Sequence, residues 1–209
     1  DDQNWAVRYL VADTGKWLSG RQVLLSPYAI DNLHQAEKTL HVKLTRKKIE
    51  DSPAIESHKP VSRQYEEEYY RYYGWPDYWQ GGGIWGMSGF PILPMPPKTP
   101  PGKPASGIDS QHKRADAHLR SAQAVIGYHI KASDGIIGHV CNFMMDDQNW
   151  TIQQLVIKTG HRFTGKEVQI PASKVERISF DDSTVFVNLN MEAVEQSPAH
   201  HLAPLAVAA

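Results

Sequence analysis

One cysteine, Cys141, is all that 209 residues contain, so no internal disulfide framework can hold this chain together. Thiol scarcity of this kind suits a reducing compartment. Neither sign of charge predominates: 22 Lys and Arg against 23 Asp and Glu leave a formal net charge of −1. That balance removes the basic face on which direct nucleic-acid binding depends. No apolar run approaches the roughly 20 residues of a membrane span, and the tail "HHLAPLAVAA" is too short and too rich in small residues to anchor as a helix. No initiator Met or signal peptide precedes Asp1, and the chain is expected to begin partway through a longer product.

Recognisable catalytic spacing is also missing. The ten histidines include no H-E-x-x-H pair, and His200 and His201 sit side by side in the tail. "GHRFTGK", Gly160 to Lys166, opens like a phosphate loop, but Glu167 stands where Ser or Thr would hold Mg²⁺, and a strand-like "EVQI" follows instead of a helix. The acid pairs Asp146–Asp147 and Asp181–Asp182 lack the alternating oxygen ligands of a calcium loop and read as solvated turns. Cys141 lies in an apolar strand pattern with no local group to lower its pKa, which makes it an inert thiol. No catalytic, cofactor or metal residue is therefore assigned, and no cofactor is expected.

What the sequence does have is repetition. "DDQNW" occupies Asp1 to Trp5 and returns at Asp146 to Trp150. Without a gap, "DDQNWAVRYLVADTGKWLSGRQVLLSP" aligns with "DDQNWTIQQLVIKTGHRFTGKEVQIPA", and the same offset still places Thr39 to Pro53 on Thr184 to Pro198. About a third of the aligned positions are identical, which makes two copies of one domain the economical reading and excludes a short-period solenoid.

The second copy reads as a run of short strands. "VIGYHIKA" and "IIGHVCNFMM" flank the turn letters Ser133, Asp134 and Gly135, the pattern of a hairpin. "TIQQLVIKTG" and "EVQIP" follow, and "KVERISF", "DDS" and "TVFVNL" make a closing hairpin. Val185, Val187 and Leu189 alternate with Phe186 and Asn188, as Leu40, Val42 and Leu44 do with His41 and Lys43 in the first copy, so one face points inward. Asn190 and Thr45 are placed to cap short helices, with Pro198 and Pro53 beyond their ends. Strands this short must close on themselves or leave edges bare, and a small antiparallel barrel fits.

"IGYHIKASDGIIGHVCNFMMDDQNWTIQQLVIKTG" with "KEVQIPASKV" resembles the PRC-barrel family, which includes the cytoplasmic domain of the photosynthetic reaction centre H subunit and a related barrel in a ribosome-maturation factor. The resemblance rests on the D-G-x-I-G hairpin from Asp134 to Gly138, the "QQLVIKTG" strand and the short strand ending at Pro171, and it covers about 75 residues of the second copy and about 50 of the first. It implies an all-β fold of two tandem PRC-type barrels with short helices and a Pro/Gly-rich connector. The domains expected are 1–53, an incomplete barrel; 54–121, the connector; 122–198, a complete barrel; and 199–209, a flexible tail. About 20 residues forming the first hairpin precede DDQNW in the second copy and have no counterpart in the first. The first half-barrel is therefore expected to be completed by a partner chain or by the second domain.

In the connector, "VSRQYEEEYYRYYGWPDYW" predicts a helix capped by Ser62 and ended by Gly74 and Pro76, with Tyr65, Tyr69 and Tyr72 on one face. "GGGIWGMSGFPILPMPPKTPPGKPASG" follows and is expected to be flexible or polyproline-like. Tyr69, Tyr72, Trp75 and Trp79 carry two readings: they pack the connector onto a barrel wall, or they form a contact surface for a partner protein or membrane interface. The function expected is a non-enzymatic, cytoplasmic adaptor or assembly module. Its partner is a protein, with self-association through the open edge of the first barrel as one route. The H-subunit likeness implies the runner-up, a membrane-peripheral component at the cytoplasmic face beside a photosynthetic or electron-transfer complex. Binding to a ribosomal protein is the third reading.

Overall fold

A computed structural model describes residues 1–18, 20–34, 37, 39–53, 61, 63–93, 119–160 and 165–199. The Ser62 cap, the tail histidines and most of the Pro-rich run lie outside them. The chain is mostly β with a few short helices, and it divides into two compact units, Asp1–Val7 with Arg120–Ala209, and Arg8–Leu119. The described connector folds with the first copy, and the opening heptapeptide belongs to the second.

The first copy supplies strands β1 (Leu10–Asp13), β2 (Gln22–Leu25), β3 (Ile30–His34) and β4 (Thr39–Val42), then helix α1 (Arg46–Glu50). Helix α2 (Arg63–Tyr73) comes from the connector. The second copy supplies helix α3 (Ala122–Val125) and strands β5 (His129–Ala132), β6 (Gly135–Asp146), β7 (Thr151–Thr159), β8 (Glu167–Pro171), β9 (Val175–Ser179) and β10 (Thr184–Val187), then helix α4 (Met191–Glu195). The start of the expected strand Val125 to Ala132 is therefore the end of a short helix. From β3 onward the two copies are superimposable in register: β9, β10 and α4 each begin 145 residues after β3, β4 and α1, the offset that separates Asp146 from Asp1.

Equivalent hydrogen bonds repeat with that offset. Thr14 N–H donates to the Arg21 carbonyl (3.2 Å) as Thr159 N–H does to Lys166 (2.9 Å), and Lys43 N–H donates to Ala29 (2.7 Å) as Asn188 N–H does to Lys174 (2.8 Å). Thr45 accepts from the Lys48 N–H and Asn190 from the Ala193 N–H, so both caps anticipated from sequence form, each contributing about 1 kcal/mol. The pentapeptide itself is a side-chain-held turn. Asp146 Oδ1 accepts from Gln148 N–H and Asn149 Oδ1 from Thr151 N–H, as Asp1 Oδ1 and Asn4 Oδ1 accept from Gln3 and Ala6. Trp5 and Trp150 both take left-handed backbone, at φ 59° and 58°. The two turns meet in a reciprocal bridge, Val7 N–H to Trp150 O and Ile152 N–H to Trp5 O, both 2.8 Å. Trp5 packs on the core of the unit that contains Trp150. The overdetermined contacts on both sides hold a conformation that a bulky residue otherwise avoids.

In the unit with Arg120–Ala209 the six strands form one sheet in the order β8-β7-β6-β5-β10-β9. Ile130, Val140, Leu155, Ile157, Ile170, Val185 and Val194 are wholly buried in its core. Two features depart from a closed antiparallel barrel. The β10–β5 pair is parallel, and no pairing among the described residues joins β8 to β9. The outer edge of β8 is met instead by Pro198 and Ala199. Period-two patterning fixes which face of a strand turns inward, but it does not say beside which strand a returning chain will lie. Asp134 Oδ1 accepts from Met191 N–H (2.8 Å), tying the β5–β6 turn to α4.

In the unit Arg8–Leu119 the same strands form two separate ribbons, β1-β2 and β3-β4. In the other unit β5 and β6 stand between β7 and β10 and stitch the halves together. Among the described residues the two ribbons share a small apolar cluster of Val23, Leu25 and Ile49, lined by Leu10, Ala12, Val42 and Leu44.

Candidate interaction surfaces

Two surfaces of the Arg8–Leu119 unit differ from anything in the other unit. The first is where the connector packs. The first copy departs from the second where it meets the connector: Arg8, Tyr9, Leu24 and Tyr28 stand where the second copy has Gln153, Gln154, Gln169 and Ser173. Leu24 and Tyr28 are each 3% exposed. Tyr69 Oη donates to the Leu24 carbonyl (2.8 Å) and accepts from Ser26 N–H (3.2 Å), so a side chain from α2 satisfies backbone groups of β2 and the turn beyond it. Gly74, at φ 73°, ends α2, and the Trp75 N–H reaches back to the Tyr70 carbonyl in a Schellman-type stop.

Around this joint the rings of Tyr9, Tyr28, Tyr69, Tyr70, Tyr73 and Trp75 pack largely edge to face, with Tyr73 and Trp75 stacked at 4.3 Å. Within them lies a fully buried carboxylate. Glu66 Oε1 accepts from Tyr9 Oη (2.6 Å) and Tyr78 Oη (2.7 Å), and its Oε2 is 3.0 Å from Arg63 Nη1. The Arg63 guanidinium also covers Trp79 at 4.3 Å, and that of Arg8 covers Tyr78 at 3.8 Å. Burial pushes the phenols of Tyr9, Tyr69, Tyr70 and Tyr78 well above the usual tyrosine range and that of Tyr28 up to about 12. Desolvation likewise pulls Arg8 down. Phenols raised by burial stay neutral at neutral pH.

The expected contact residues divide on this geometry. Tyr69 is 0% exposed and belongs to the packing. Tyr72 is 37% exposed, although its hydroxyl donates to the Lys48 carbonyl, and Trp75 and Trp79 are half-buried. Glu66, Tyr70, Tyr78, Trp85 and Arg8 were missed as participants. A buried Glu between two runs of tyrosine was the available signal, since burying it requires donors. The first part of the Gly-rich segment is also folded, not polyproline-like. Gly83 bridges Gly86, Trp85 bridges Ser88, and Trp85 is 2% exposed. Beyond it Met87, Phe90, Ile92 and Leu93 are exposed beside a groove of about 580 Å³ lined by Pro76, Asp77, Gln80 and Trp85.

The second is formed by the outer strands β1 and β4. Among the described residues β1 pairs only with β2, and β4 only with β3. Leu10, Ala12, Leu40 and Val42 are half-buried there, whereas their counterparts Leu155, Ile157, Val185 and Val187 are buried under β5 and β6.

Among the described residues no group of three or more His, Cys, Asp or Glu could hold a metal. Cys141 donates to the Val156 carbonyl (3.3 Å), and burial pushes its thiol up, away from thiolate. Lys166 leads into strand β8, so the phosphate-loop pattern is not followed by the helix it would need. No described helix is long and apolar enough to cross a membrane. No protein-family model and no curated protein matches this chain.

Proposed function

We propose that this chain is a non-enzymatic binding module of two PRC-type β-domains that acts as an adaptor or assembly factor for a protein partner. One observation carries the reading: the ribbons β1-β2 and β3-β4 present half-buried apolar side chains on two strands that, among the described residues, have no second neighbour. Unpaired strand edges beside an apolar floor favour strand addition, in which backbone hydrogen bonds supply affinity and side-chain pockets supply selectivity. The connector supports this arrangement by covering the other side of β2 and holding the floor in place.

The test is a capture from native-host extract with the intact chain, with Leu40→Glu on β4, and with Trp79→Ala on the connector. Loss of a specific partner with Leu40→Glu alone, at unchanged helix and strand content, supports the reading. Equal capture by all three refutes it.

A second reading has its own support. Met87, Phe90, Ile92 and Leu93 are exposed apolar residues, with Met87 at 92%, and Met87, Ile92 and Leu93 share the lining of one groove. Such exposed apolar residues suit peripheral contact with a bilayer, at the cytoplasmic face and beside a photosynthetic or other electron-transfer complex. Co-sedimentation with vesicles of mixed neutral and anionic phospholipid, abolished by Met87→Asp with Ile92→Asp, is the expected result on this reading.

A further inference from the structure

Glu66 joins two ends of the aromatic packing. From the exposed Tyr72 the rings of Tyr73, Tyr69 and Tyr9 follow at centroid separations of 4.9, 4.8 and 5.5 Å. Tyr9 Oη then donates to Glu66 Oε1 at 2.6 Å, and the same oxygen accepts from Tyr78 Oη at 2.7 Å. The Tyr78 ring in turn lies 5.0 Å from half-buried Trp79. We infer that this row is a redox relay: Tyr9 or Tyr78 gives up an electron, and Glu66 takes the phenol proton. The product is a neutral tyrosyl radical, formed reversibly. This activity is separate from partner binding.

An aromatic core needs shape and apolar surface, and a carboxylate is costly inside one unless donors hold it. Here the donors are two phenols, and tyrosine and tryptophan are the side chains that lose one electron most readily. Contact between their π-systems lets the hole pass from ring to ring. A phenol that has lost an electron is a strong acid, so its proton must find a base at once. Glu66 Oε1 is the atom to which both O–H groups already point. Cations enforce the coupling. The guanidinium carbons of Arg8 and Arg63 lie 3.8 and 5.3 Å from the Tyr78 ring centroid, and positive charge so close disfavours a radical cation on that ring. The electron therefore leaves together with the proton. An outer-sphere one-electron oxidant at Tyr72 or Trp79 gains the electron, the tyrosine O–H bond breaks, and a new O–H bond makes Glu66 a carboxylic acid. A one-electron reductant reverses each step. Burial protects the product, since Glu66 and Tyr69 are 0% and Tyr78 is 5% exposed, and a second radical cannot reach it to couple.

The test uses the full chain and photogenerated tris(bipyridyl)ruthenium(III) as oxidant. Flash absorbance follows radical formation, and electron paramagnetic resonance on freeze-quenched samples identifies the species. A persistent neutral tyrosyl radical is expected, forming more slowly in D₂O than in H₂O. Tyr9→Phe and Tyr78→Phe each leave one phenol on Glu66 and should retain a radical, whereas the two together keep both rings and should abolish it. Tyr72→Phe with Trp79→Phe replaces the two surface ends and should slow formation several-fold. Near-ultraviolet circular dichroism checks that the double phenol variant is folded; if it is not, the D₂O effect and the surface-end pair decide. Absence of a persistent radical in the intact chain overturns the inference. So do equal rates in H₂O and D₂O, a radical that survives in the folded double phenol variant, and formation that is unaffected by changing both surface ends.

Discussion

Glu66→Gln tests whether the connector is a structural part of the first unit. The substitution keeps the volume and leaves an oxygen to accept from Tyr9 and Tyr78, now bonded at 2.6 and 2.7 Å. A neutral acceptor makes each bond about half as strong. The amide nitrogen replaces Oε2, so it turns N–H groups toward Arg63, whose side chain is only 16% exposed. Breaking a buried pair from one side costs about 3–5 kcal/mol. With both phenol contacts retained, the lower end, about 3 kcal/mol, is expected, a large share of the roughly 5–15 kcal/mol typical of a domain. Urea unfolding followed by tryptophan fluorescence reads it directly, because Trp75, Trp79 and Trp85 all report on this unit. Adding Arg63→Gln removes the buried cation together with its partner, and the pair should couple by at least about 1 kcal/mol. A loss below about 1 kcal/mol for Glu66→Gln, the size of an exposed ion pair, would refute the claim that this carboxylate is held in a dry, charge-paired site.

Two further outcomes follow from the same packing. Leu24→Gln installs the second copy's residue at a position 3% exposed beneath Tyr69. It should cost about 2–4 kcal/mol and weaken the near-ultraviolet circular dichroism of the tyrosines, whereas Gln169→Leu on the half-exposed counterpart should change stability little. Alkaline unfolding should be steep. Tyr9, Tyr65, Tyr69, Tyr70 and Tyr78 all have raised phenol pKa values, chiefly through burial. The unfolded chain releases those protons near pH 10 while the folded chain keeps them, so the stabilisation is complete below pH 10 and is lost as pH rises above it, by about 1.4 kcal/mol per tyrosine per pH unit. Tyrosinate absorbance rising together with the loss of tertiary signal is expected, and gradual ionisation of these residues in a still-folded chain would contradict their burial.

Much of the local structure could be read from the letters. The gap-free repeat fixed which segments correspond, and β3, β4 and α1 recur as β9, β10 and α4 because identical spacing of apolar residues, glycine turns and cap residues leaves the backbone the same local solutions. Helix α2 was legible from its tyrosine spacing and terminal Gly74. Its environment was not. A helical-face reading groups Tyr65, Tyr69 and Tyr72, yet Glu66 and Tyr70 are fully buried while Tyr72 is the exposed one. A second segment, from Trp75 to Trp85, packs on Tyr70, and periodicity carries no information about an element that wraps back from further along the chain.

Sequence alone thus determined the duplication, the turns and the caps, because each is a local pattern of residue types. Tertiary structure alone decided that β10 lies parallel to β5, that the connector buries Leu24 and Glu66, and that the first copy stands as two separate ribbons. Those outcomes depend on which edges and faces meet across long stretches of chain. Competition among such long-range contacts, and not the preference of any single segment, settles that choice.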